Sequence, residues 1–100
     1  MHSSQTGTFT PTDNGTRWVF HGALTMDDAS RVLEDAEALP LPSKGIVDFR
    51  GLLQGDSAAI AVMIALRRRA AAEGKTLAFA SLPDALESLA IVYGVDKLLA

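Results

Sequence analysis

The 100-residue chain contains no cysteine, which excludes disulfides, thiolate metal sites and thiol nucleophiles, so the fold must hold by packing. Histidine is nearly as scarce. His2 lies in the polar opening segment and His21 at the end of a strand-like run, and without a second histidine or a cysteine beside it neither is expected to hold a metal. For His21 a strand-end residue with a satisfied hydrogen bond is the expectation. No cofactor is implied. Basic charge is also in short supply: 9 Lys and Arg stand against 12 Asp and Glu, a formal net charge of -3. Such a balance gives no general attraction for phosphate backbones or anionic lipid, and nucleic acid is not an expected partner. Long apolar runs are missing as well. The longest, residues 58–66, falls well short of the roughly 20 residues a spanning helix needs, so no direct membrane insertion is expected. Residues 1–7 lack the basic-then-apolar order of a signal peptide. A cytoplasmic location follows as the expectation, with the inner face of a membrane reached only through a complex.

What is present is enough for one core. Hydrophobic residues make up 48% and charged residues 21%, the balance of a globular protein, and the length suits one domain rather than two. The expected organisation is a disordered tail over residues 1–6 and a single domain over 7–100.

The expected elements follow from spacing. Thr8-Phe9-Thr10 and residues 16–21 are β-branched and aromatic, separated by Asp13-Asn14-Gly15, a hairpin pattern. Thr25 and Asp28 resemble a capping box ahead of a helix over about 26–39, with Met26, Ala29, Val32, Leu33, Ala36 and Leu39 on its apolar stripe. Pro40 and Pro42 end it. Residues 45–49 read as a central strand and 50–55, with two glycines, as a loop. Asp56 or Ser57 caps a second helix whose first turns are apolar, which carries Arg67-Arg68-Arg69 in its later turns and which Gly74 closes. Residues 76–80 form another strand. Ser81 then caps a third helix with Pro83 in its first turn and Ala85, Leu86, Leu89, Val92 and Tyr93 inward, stopped by Gly94, after which residues 95–100 pack back on the sheet. The order β-β-α-β-α-β-α predicts an α/β domain, a small mixed sheet with an N-terminal hairpin and three main helices.

Chemical groups do not converge in this pattern. Ser57, His21 and Asp48 contain the residue types of a hydrolytic triad without the elbow motif that would support one, and no catalytic residue is expected. Residues 51–57 lie where a phosphate-binding loop would, but the spacing is wrong and Asp56 stands where that loop needs a lysine. Three consecutive arginines splay over about 200° of a helix at about 100° each, so they are read as a solvated helix end rather than a patch. Trp18 and Phe20 share one side of their strand and are read as core. Asp48, an acid in an apolar strand, must be hydrogen-bonded or exposed, and is read as organising the segment after it.

The segment Asp48-Phe49-Arg50-Gly51-Leu52-Leu53-Gln54-Gly55-Asp56-Ser57-Ala58-Ala59 resembles the signature of STAS domains, in which a strand ending Asp-Leu is followed, eight residues after its Asp, by Asp-Ser or Asp-Thr at a helix start. Ala58-Ala59 and Gly55 depart from the usual residues at their positions. The resemblance implies a non-enzymatic interaction module that binds its partner through Asp56, Ser57, Ala58 and Ile60. Gln54, and the run from Leu77 to Tyr93, look closer to the small cytosolic subunits of phospholipid-transporting ABC complexes, which implies an ABC ATPase as partner. The other branch, the anti-sigma factor antagonists, implies an anti-sigma factor kinase as partner and phosphorylation of Ser57.

Overall fold

The structure, a computed structural model, describes residues 7–92 and Gly94. The elements run β1 (Thr8–Thr12), β2 (Arg17–Leu24), α1 (Ala29–Glu37), β3 (Ile46–Gly55), α2 (Ser57–Ala72), β4 (Ala78–Ala80) and α3 (Asp84–Val92). The strands form one sheet in the order β1-β2-β3-β4. β1 and β2 are the antiparallel hairpin, while β3 lies parallel to β2 and β4 parallel to β3. The expected α/β architecture and element order are therefore present. The expected 1–6 tail, Tyr93 and the packing of 95–100 lie outside the described residues.

The hairpin forms because Asp13, Asn14 and Gly15 all take positive φ, the conformation a tight reversal between right-twisted strands requires. Alternation along β1 to β4 then sends Phe9, Trp18, Phe20, Val47, Phe49 and Phe79 to one face. Their rings form a continuous row. Phe9 lies 5.3 Å from Trp18 and 4.9 Å from Phe20, Phe20 lies 5.6 Å from Phe49, and Phe49 lies 5.9 Å from Phe79. Val32 and Ala36 of α1, Ala59, Met63 and Leu66 of α2, and Leu86 and Ala90 of α3 complete the same core. Trp18 and Phe20 are fully buried, as their shared strand face predicted. Each buried phenylalanine or leucine contributes about 1.5–3 kcal/mol by leaving water.

Four local expectations are corrected. First, β3 does not stop at Phe49 but continues through the two glycines to Gly55. Its Gly51 pairs with His21 just after a register shift that gives β3 one residue more than β2, and a Cβ at Gly51 would run into the Phe20 carbonyl and the His21 ring. A glycine here is a means of continuing the strand at close approach, not of leaving it. Second, α1 starts three residues late. Thr25 and Asp28 do interact, at 3.2 Å between hydroxyl and carboxylate, but within a turn of their own: the Asp28 and Ala29 N–H groups both donate to the Thr25 carbonyl. Met26 consequently leaves the apolar stripe and is 73% exposed. Third, Ser81 takes positive φ instead of capping α3, whose first turn closes on the Pro83 carbonyl. Fourth, α3 is rotated from its expected face: Leu86 and Ala90 are inward, while Ala85 and Val92 are exposed.

Candidate functional site

Three parallel strands end at the same end of the sheet, and each hands over directly to a helix: β2 to α1, β3 to α2, β4 to α3. In sheets of this kind the end beyond the strand C-termini is where loops and helix starts gather to form a site. Asp56 sits in its middle. With extended backbone it is the N-cap of α2, and its Oδ1 accepts the Ala58 N–H at 2.8 Å. Its Oδ2 accepts the Met26 N–H at 3.2 Å. One carboxylate thus satisfies an orphan donor of the helix and ties the β2–α1 turn to the start of α2.

Ser57 follows as the first residue of α2 and is half-buried. Ala58 and Ile60 are buried, Ile60 at 3% exposure. Of the four residues that the sequence singled out, Asp56 and Ser57 therefore lie at the surface, and Ala58 and Ile60 lie beneath them. Two residues that sequence alone does not mark for the site are exposed apolar side chains: Met26 at 73%, in the turn tied to Asp56, and Leu53 at 69%, near the end of β3. Nor does sequence mark a shallow cleft of about 190 Å³ between the end of β3 and the start of α3, lined by Leu52, Gln54, Pro83, Ala85 and Leu86 among others. An apolar residue that fits a helical period gives no sign in sequence that the helix begins after it, and Met26 was hidden for that reason.

A second polar cluster lies on the sheet itself. Asp48 is 4% exposed. Its Oδ2 meets the Arg17 guanidinium at 2.7 Å and the Arg50 Nε at 3.3 Å, and its Oδ1 accepts the Arg50 N–H at 2.9 Å. Burial by itself would raise the Asp48 pKa. The Arg50 N–H, the Ser81 side chain and the two arginines outweigh it and hold the carboxyl below its ordinary value. Asp48 thus joins β2, β3 and the segment after β4, a wider version of the organising role expected for it.

The three arginines diverge as their spacing requires, but two have more to do than a solvated helix end would. Arg69 donates to the Ala36 carbonyl at 3.0 Å and to the Leu39 carbonyl at 2.6 Å, satisfying the C-terminus of α1, and pairs with Glu73 at 3.0 Å. The Arg67 guanidinium carbon lies 5.6 Å from the centroid of the Phe79 ring. Arg68 is exposed. No hydrogen bond joins any two of Ser57, His21 and Asp48, and no three His, Cys, Asp or Glu side chains meet among the described residues in a way that could hold a metal. No helix of the described residues is long and apolar enough to cross a membrane.

A four-stranded mixed sheet with three helices and an acid-capped helix start at the strand ends defines a small α/β domain. A family model described as "Mlab, STAS domain" matches residues 10–100, and the chain belongs to the STAS domain family. Domains of this family are generally non-enzymatic and mediate protein–protein interaction. No curated protein matches the chain.

Proposed function

We propose that this STAS domain is the cytoplasmic accessory subunit that binds and regulates the ATPase of a phospholipid-transporting ABC complex, and that it docks through the start of α2. The observation that carries the reading is the helix start at Asp56-Ser57, anchored twice through Asp56 and half-exposed at the end where three strands deliver their helices. Asp56 spends both oxygens inside the domain, so its part is to set the position of the surface. Ser57 offers a hydroxyl to the partner. Ala58, small and buried behind it, lets a partner backbone come close, and Ile60 supports the turn from the core. A partner that binds only one arrangement of the ATPase favours that arrangement by its differential affinity, which is how a subunit without chemistry of its own regulates an enzyme. The family description supports the transporter branch over the antagonists.

Co-expression with the ATPase subunit of a phospholipid-transporting ABC complex from the same organism tests the proposal. The unaltered domain is expected to co-purify with it, and the Ser57→Trp variant, with its fold checked by far-UV circular dichroism, is expected not to. Undiminished co-purification of the variant overturns the assignment of the surface. The antagonist reading predicts instead that an anti-sigma factor kinase and ATP add 80 Da at Ser57, detectable by mass analysis. A phosphate there carries about -1.5 to -2 charge beside Asp56, which already takes the Ala58 N–H, so its effect would fall on the partner surface rather than on the fold.

A further inference from the structure

The end that holds Asp56 and Ser57 is predominantly acidic. Asp27, Asp28, Asp56, Asp84 and Glu87 all lie in its turns and first helical turns, and residues 23–28, 52–60 and 82–88 contain no lysine or arginine. Acids at helix starts complement the helix dipole, but the dipoles do not balance these. Each of the three helix N-termini supplies roughly half a positive charge, and Arg31, 3.9 Å from Asp28, supplies one more. The end remains net negative. Among the described residues Asp27, Asp84 and Glu87 have no ion-pair partner. Within this acidic rim stand the exposed Met26 and Leu53 and the cleft between β3 and α3. At about 190 Å³ the cleft is smaller than the pockets of roughly 300 Å³ and above that hold drug-sized molecules, and it suits one leucine-sized or phenylalanine-sized side chain.

We infer that the partner of this surface is a protein segment presenting an apolar side chain between cationic ones. The apolar side chain enters the cleft between Leu52 and Pro83 against Leu53, the rest of the segment lies over Met26, and the cations face Asp27, Asp84 and Glu87. The inference rests on the docking reading above and adds the chemistry of the occupant. Rim charges of this kind steer encounter and reject like-charged surfaces more than they add affinity, and their reach is about 10 Å at 0.1 M salt. The apolar anchor supplies the affinity, and the rim selects which anchor arrives.

Two synthetic helical peptides with the same leucine stripe, one flanked by lysine and arginine and the other by glutamate, are titrated into the ¹⁵N-labelled domain at 50 and 300 mM NaCl. The cationic peptide is expected to shift the amides of Met26, Leu53, Gln54 and Ala85, and to lose affinity about tenfold at the higher salt. The glutamate peptide is expected to leave them unmoved. In Asp27→Lys/Asp84→Lys, whose spectrum reports its own folding, the preference between the peptides should reverse. Equal binding of both peptides at this end, abolished for both by Ser57→Trp, would overturn the cationic partner and leave the docking reading standing. Shifts confined to other faces of the domain, with none at this end from either peptide, would overturn both.

Discussion

At the scale of single residues, Asp48 shows what an acid in an apolar strand achieves. Its eight-residue spacing to Asp56 and its local organising role were legible, because a buried carboxylate must find donors. Arg17, which lies 31 positions away, could not be read, since only the parallel pairing of β2 with β3 brings it within 2.7 Å. Replacing Asp48 by alanine leaves Arg17 facing a partly buried gap; Arg17 is itself 29% exposed, so the cost should be about 2–3 kcal/mol, below that of a fully buried pair. The pH dependence follows from the lowered pKa of Asp48. Its contribution is fully present above the unfolded value of about 3.9 and is lost as pH falls through the lower folded value. Urea denaturation of Asp48→Asn and the unaltered domain should therefore give a constant stability difference from pH 5 to 7 that shrinks below pH 4. A difference that stayed constant down to pH 2 would show that the ionised carboxylate is not the source.

At the scale of elements, those set by local chemistry were legible and those set by partners were not. The hairpin, the Asp56 cap of α2 and the Gly74 closure after it follow from residues within a few positions of one another, and all three stand in the structure. The end of β3, the start of α1 and the face of α3 depend on what lies across from them. In α3 alanines at 85 and 90 fit either face, so the period alone does not orient the helix, and the exposure of Val92 is not legible from it. Among the site residues, Asp56 and Ser57 were readable as a helix start, whereas Met26 and Leu53 required the turn and the extended β3 to be known. Two substitutions test these element-level findings. Gly51→Ala forces a methyl group into the Phe20 carbonyl and the His21 ring and should cost about 1–3 kcal/mol through displacement of β3, measured by urea denaturation. If β3 did end at Phe49, the change would cost almost nothing. Arg69→Met keeps the aliphatic stem but removes the donors to the Ala36 carbonyl in α1 and the Leu39 carbonyl just beyond it, together with the Glu73 ion pair, and a loss of about 1.5–3 kcal/mol is expected. Hydrogen exchange should then quicken in the last turn of α1 before it quickens in α2.

At the scale of the whole molecule, one core serves every element from which it is built. Phe9, Trp18, Val32, Phe49, Met63, Leu77 and Leu86 belong to a single cluster, so the hairpin, the parallel strands and the three helices have no separate interior on which to remain folded alone. A domain of this size with one cluster is expected to unfold in one step. Trp18, the chain's single tryptophan, is fully buried against Phe9 and reports on the hairpin, whereas far-UV circular dichroism weights the helices. The two probes should give coincident urea transitions, with a slope of about 1–3 kcal/mol per molar urea, and Arg69→Met should move both midpoints together although the hydrogen-bond partners of Arg69 are Ala36, Leu39 and Glu73, all outside the hairpin. A tryptophan transition that preceded the helical one would mean that β1 and β2 form a unit of their own, and the continuous row of rings from Phe9 to Phe79 would then not be what binds the sheet to its helices.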